Sequence, residues 1–251
     1  MKRNITILGL KGIPSINEGD DIGKLIYNTC KNQKIKLLEN DVIVIAHKIV
    51  SKSEGRIIDY DDIKPSPFAK RIAKKSGKEA PHVEAILSQT ENIVRMQGHH
   101  LITETRHGFI CANSGVDKSN LNDELTVCML PKYPDESAKK IRSKIKNLAG
   151  VNVAIIISDT FGRPWRIGQV NMAIGIAGMK PLLDYRGSLD MYNRKLRYTV
   201  IAIADEIASA AELVMKKSEG VPVAILRGVQ YAVGRGSVKD LIRSRDMDLF
   251  R

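Results

Sequence analysis

Ile155-Ile156-Ile157-Ser158-Asp159-Thr160-Phe161-Gly162-Arg163 joins a fully apolar run to an acid, a hydroxyl, a glycine and an arginine. The run 151–158 is continuous and rich in β-branched residues, as a strand buried on both faces requires. The stretches 41–46 (DVIVIA) and 222–226 (PVAIL) read the same way. Between them the apolar period becomes helical. Ser66-Pro67 supplies a cap and a first-turn proline for one helix, with Phe68 and Ile72 on one face and Gly77 closing it. Asp135 is the expected cap of a second helix ending at Gly150, its Ile141, Ile145 and Leu148 forming a stripe opposite lysines. A third covers about 202–217 with Ile203, Ile207, Ala210 and Val214 inward, and Ser237 with Asp240 forms a capping box for a C-terminal helix. Strands and helices mix without the strict alternation of a doubly wound sheet. The turn at 131–135 and the lysine-rich helix after it place a subdomain break near residue 130 in a single ligand-binding unit of 251 residues.

A chain of 251 residues buries roughly 70–75% of its unfolded surface and needs no staple to fold. Hydrophobic residues at 43% and charged residues at 27% exclude wholesale disorder. No apolar stretch approaches the roughly 20 residues of a membrane span, and the start lacks a signal-peptide pattern. Cys30, Cys111 and Cys128 are odd in number and widely spaced, so they read as reduced thiols of a cytoplasmic protein. The net charge of +12 points to anionic partners. Aromatics are only 5% and the lysines are dispersed, which makes nucleic acid the weaker reading of that charge.

Polar groups converge at strand ends in α/β proteins, and an Asp159-Thr160 pair there can serve a metal that bridges phosphates. Arg163 and Arg166 offer forked donors to oxyanions. Gly115-Val116-Asp117-Lys118-Ser119-Asn120 follows the apolar 109–112. Asp117 and Asn120 can turn oxygens toward one hard cation, or Asp117 can simply close an Asx-turn. Neither Asp117 nor Asp159 has an evident cation nearby in sequence, so a metal is expected to hold both. Lys52, in Ser51-Lys52-Ser53-Glu54-Gly55-Arg56, is either a phosphate contact or a solvated lysine. Lys216 and Lys217 complement a helix dipole, while Glu219 and Gly220 border the same loop. Gly19 to Leu25 fails as a Walker loop: three residues separate its glycines, and Leu25 follows Lys24 where a hydroxyl is needed. His99-His100 lacks the pattern of a zinc site.

Taken in order, several segments resemble one family. They are Gly12-Ile13-Pro14 with Glu18-Gly19-Asp20-Asp21, Ser51-Lys52-x-Glu54-Gly55-Arg56 and Asn113-x-Gly115-x-Asp117-x-Ser119-Asn120, then Leu130-Pro131-x-x-Pro134-Asp135. Ser158-Asp159-Thr160-x-Gly162-Arg163, Ala173-Ile174-Gly175-Ile176-x-Gly178 and Ala204-Asp205-Glu206-Ile207-Ala208 complete the pattern. The chain resembles the coenzyme F420-0:L-glutamate ligases of archaeal type over nearly its whole length. The resemblance implies an α+β fold of two intertwined mixed subdomains in a homodimer, not a P-loop fold. It also implies GTP-dependent addition of L-glutamate to coenzyme F420-0, then a γ-linked second glutamate on F420-1, with magnesium or manganese and potassium.

Carried over by motif, Asp117, Asp159 and Thr160 hold divalent metal, with Glu219 as a further candidate. The segment Ile13, Pro14, Ser15 and Ile16, with His47, Lys48, Lys52, Asn120, Glu219 and Gly220, holds the nucleotide. Asp159 and Arg163 are the expected catalytic pair. Two positions depart from the family pattern: Lys216 follows Met215 where glycine is common, and His47-Lys48 replaces a usual Ser-Thr pair. Lys48 is thereby expected either to add charge to a phosphate or to change nucleotide preference. A related glutamyl ligase with another carboxylate acceptor is the alternative within the same chemistry.

Overall fold

A computed structural model describes residues 4–121 and 123–249. The first half runs β1 (Thr6–Gly9), α1 (Ile22–Asn32), β2 (Val42–Ala46), α2 (His47–Ser53), β3 (Ile57–Asp59), α3 (Pro67–Ser76) and α4 (Ala80–Gln89). It continues through β4 (Thr90–Gln97), β5 (His100–Thr105), β6 (Ile110–Ala112) and β7 (Thr126–Cys128). The second half holds α5 (Pro134–Ala149), β8 (Ala154–Arg163), β9 (Arg166–Ala177), β10 (Leu183–Asp184), β11 (Val200–Ile201), α6 (Ile203–Met215) and β12 (Val223–Arg227). The architecture is α+β, as the resemblance implies.

The three runs read as buried strands meet in one five-stranded sheet of order β1-β12-β2-β8-β9. Its centre is parallel: Val42 to Ala46 lie opposite Ala154 to Ser158 in unbroken register. A parallel pair needs cover on both faces, and Ile43, Ile45, Ile155, Ile156 and Ile157 are fully buried. Each such side chain contributes roughly 1.5–3 kcal/mol of transfer free energy. Helix α5 packs against β8 and β9, α6 against β9, β1 and β12, and α1 against α5.

A second core lies in the segment between β2 and β8. Tyr60, Ile72, Val83, Ile86, Leu101, Val116, Val127 and Met129 form it, under α3, α4 and the β3–β7 ladder. Leu130 already belongs to the main core. A three-stranded sheet, β4-β5-β6, flanks these helices.

Several local readings change. The strand containing Ile155 does not stop at Ser158: it runs on to Arg163 and turns through Pro164-Trp165 into β9. Hydrogen bonds to β9 continue through Thr160–Asn171 and Gly162–Gln169, so the pairing overrides the polar residues that suggested a strand end. Helix α3 is as expected, with Ser66 Oγ accepting from Ala69 N and Gly77 in the left-handed conformation, but Phe68 is half exposed. Helix α5 is preceded by Tyr133, and Asp135 sits in its first turn. There its carboxylate leaves the helix and accepts from Ile176 N at 2.8 Å and Ser237 Oγ at 2.7 Å, tying α5 to β9 and the C-terminal segment. Leu148 is exposed rather than on the buried stripe. Helix α6 ends two residues early, at Met215. The Ser237–Asp240 capping box forms, on a single 3₁₀ turn.

Candidate active site

A cleft of about 950 Å³ opens where β2, β8 and β9 meet the loops after β1, β6 and α6. Helix α2 begins directly after β2, so His47, Lys48 and Lys52 point from its first two turns toward the cleft. From β8 come Ser158, Asp159 and Thr160, and from β9 comes Asn171. The loop after β6 brings Asn113, Asp117, Ser119 and Asn120, and the loop after α6 brings Lys216, Lys217 and Gly220. Ile13, Pro14 and Ser15 form one rim.

Eleven of the residues singled out in the sequence therefore share this cleft: Ile13, Pro14, Ser15, His47, Lys48, Lys52, Asp117, Asn120, Asp159, Thr160 and Gly220. Three do not line it. Ile16 is buried in the main core. Glu219 turns away and pairs with Lys216 at 2.6 Å. Arg163 lies at the far end of β8, where its Nη2 donates to Ile167 O at 3.2 Å.

The carboxylates are not bare. Lys48 Nζ lies 2.6 Å from Asp117 Oδ2, and it also donates to Ser119 O at 2.8 Å and to Ser119 Oγ. These contacts use all three protons of the ammonium, so Lys48 is tied to the Asp117 loop. Asp117 Oδ1 accepts from Ser119 N at 2.9 Å, the Asx-turn that the sequence offered as one reading. Burial alone raises the Asp117 carboxyl, but Lys48 and the Ser119 N–H more than offset it and hold it below the usual range. His47, only 3% exposed, places Nε2 3.3 Å from Asp159 Oδ1 and Nδ1 3.3 Å from Ser51 Oγ. Both aspartates thus have a basic neighbour from α2, which no local sequence window reveals. Lys52 Nζ donates to Asn120 O at 3.2 Å, the second tie between α2 and this loop.

Sequence reasoning missed Asn171 and Glu212, and gave Lys217 only a helix-dipole role. Lys217 Nζ contacts Thr160 Oγ1, with Glu212 Oε1 at 3.2 Å and Asn171 Oδ1 at 3.3 Å. A polar side chain ahead of the apolar 172–177 run was the available signal for Asn171. Ser158 Oγ and Asn113 Oδ1 were missed as well: both are buried in the cleft wall without a protein hydrogen-bond partner. Unsatisfied buried acceptors of this kind suit a polar ligand or ordered water. Cys111 also faces the cleft, but burial first and the nearby Asp159 second push its thiol to about 12, so it stays protonated and is no nucleophile.

The model of the F420-0:gamma-glutamyl ligase family matches residues 11–228. This chain belongs to that family. The family match takes in every cleft residue named above. The chain is 47% identical to the coenzyme F420:L-glutamate ligase of Methanothermobacter thermautotrophicus, covering 98% of this chain and 99% of that protein. To the coenzyme F420:L-glutamate ligase of Methanocaldococcus jannaschii it is 45% identical, over 100% and 98% of the two chains. A protein of the same name from Archaeoglobus fulgidus is 38% identical, over 98% and 96%. No described helix is long and apolar enough to cross a membrane.

Proposed function

We propose that this protein joins L-glutamate to coenzyme F420-0, and then to F420-1, in a GTP-dependent reaction through an acyl phosphate. The observation that carries the reading is the convergence of family-motif residues from five separate segments on one cleft, in a chain of full family length. In this reaction a carboxylate oxygen of the acceptor attacks the γ-phosphorus of GTP, and GDP leaves. The amine of glutamate then attacks the acyl carbon, and phosphate leaves as the amide forms.

The chain's part is positioning and charge neutralisation. Asp117, Asp159 and Thr160 present oxygen donors, the chemistry that magnesium or manganese prefers. Asp117, Asp159 and Thr160 would share one such ion, with phosphate and water completing its shell. When bound, the ion supplies charge neutralisation to the transferring phosphoryl group. Lys52 and Lys217 border the volume open to the polyphosphate, while Lys216 is held by Glu219. The 13–15 rim and Asn120 are assigned to the nucleotide, and Ser158 and Asn113 to polar groups at the cleft floor. His47 orients Asp159 from a buried position. The potassium requirement and the homodimer belong to the same proposal. Trp165, Ile167, Met191, Tyr192 and Tyr198 are strongly exposed, and a second copy of this chain would cover some of these side chains.

The test is GDP release by purified protein with GTP, manganese and F420-0, with each component omitted in turn. Release that requires both glutamate and F420-0, with product mass rising in glutamate steps, supports the reading. Equal release without an acceptor makes the protein a nucleotidase, and release with another carboxylate in place of F420-0 changes the acceptor.

A further inference from the structure

The ammonium of Lys217 rests in a cradle of oxygen atoms, of which the proposed function uses only Thr160. Glu212 Oε1 lies 3.2 Å away, Asn171 Oδ1 3.3 Å, and Thr160 Oγ1 is in contact. The cradle is built rather than incidental. Asn171 is 4% exposed, its Nδ2 donates to Glu212 Oε2 at 2.9 Å, and its Oδ1 accepts the Thr160 hydroxyl at 2.8 Å. These bonds fix the amide with its carbonyl oxygen toward Lys217. A carboxylate, an amide carbonyl and a hydroxyl are together the donor set of a hard cation.

The backbone explains how the lysine gets there. Lys216, at the end of α6, has φ 49° and ψ 180°, a conformation that side-chain-bearing residues rarely adopt. That twist separates two consecutive lysines: Lys216, on the cleft border, pairs with Glu219, and Lys217 turns back toward Thr160. The side chain of Lys217 remains 59% exposed, so it can leave the cradle without unpacking the core.

We propose that Glu212, Asn171 and Thr160 form a cation seat whose resident occupant is the Lys217 ammonium, and that a divalent cation binding at Thr160 must displace it. The inference rests on the metal-dependent reading above. Its consequence is an exchange: one positive charge leaves the seat as two arrive, and the released ammonium is placed beside the polyphosphate volume. In metal-free protein the lysine neutralises Glu212, so folding does not wait for metal.

The test is titration with Mn²⁺ alone, reading free Mn²⁺ by electron paramagnetic resonance, on four proteins matched for melting temperature. Lys217→Met should bind Mn²⁺ about three- to tenfold more tightly than wild type, or gain a site, because the competing ammonium is gone. Glu212→Gln should weaken binding by a similar factor. Lys216→Met removes the same charge from the same loop outside the seat, and should stay near wild type. Equal tightening in Lys216→Met and Lys217→Met makes the effect general electrostatics and overturns the exchange. Unchanged or weaker binding in Lys217→Met overturns it too, with the metal reading intact. No Mn²⁺ binding by any of the four overturns both.

Discussion

Asp159 is the residue on which most of the proposed chemistry converges. Its Oδ1 accepts from Thr160 N at 2.7 Å and faces His47, so Asp159→Asn keeps the local shape while removing one charge. We expect the ligase rate to fall at least about 100-fold, with the melting temperature of metal-free protein within a few degrees of wild type. Asp117→Asn should behave alike in rate, and the double variant should fall far short of the product of the two, since both act on one centre. Single-turnover rates at limiting manganese decide this, and wild-type rates in either single variant would remove the shared centre. A second residue effect lies in the other core. Burial, more than the neighbouring Lys78 and Lys118, depresses His82 to about 4, and its Nδ1 lies 3.0 Å from Tyr60 Oη. The folded state therefore keeps His82 neutral where the unfolded chain protonates it. The stabilisation is whole above about pH 6.5 and is lost as pH falls toward 4, by up to about 3 kcal/mol. Urea denaturation at pH 7 and pH 4.5 should show that slope, and His82→Gln should flatten it.

At the scale of elements, the β8–β9 hairpin and α5 hold the site's frame. Gly175 lies against the start of α5, where an added Cβ would come 2.7 Å from the Pro134 backbone. Backbone cannot swing aside as a side chain can, so Gly175→Ala should cost about 1–3 kcal/mol and lower the melting temperature without altering nucleotide affinity at low temperature. The same region shows what the sequence could convey. Buried strands β2, β8 and β12 were legible because residues covered on both faces are apolar at every position. Strand β4, mostly polar and exposed, and β5, whose buried positions include the polar Thr103 and Thr105, carried no such signal. The continuation of β8 to Arg163 was hidden because its partner, β9, is what keeps Asp159 and Thr160 extended. Candidate site residues within one motif were legible. Pairings across the fold were not: Lys48 with Asp117, His47 with Asp159 and Lys217 with Thr160 each join separate segments. Asp135 illustrates the limit, since its position suits a cap and its actual partners are 41 and 102 residues away.

For the molecule as a whole, the net charge of +12 is spread widely, and in the cleft Lys48, Lys52, Lys216 and Lys217 border Asp117, Asp159 and Glu212. Three of these lysines neutralise acids, Lys48 at Asp117, Lys216 at Glu219 and Lys217 at Glu212, which leaves Lys52 to meet an anionic nucleotide directly. Such a cleft accounts for part of the surplus without a nucleic-acid partner, and binding of generic RNA should be weak and abolished by moderate salt. The central claim is that nucleotide cleavage and amide formation are one coupled reaction in this cleft. The most direct measurement follows GDP and the mass of F420-0 in the same vessel as glutamate is added. The account predicts one GDP for each glutamate joined and only slow GDP formation before glutamate arrives. Rapid GDP release with no change in acceptor mass would contradict it.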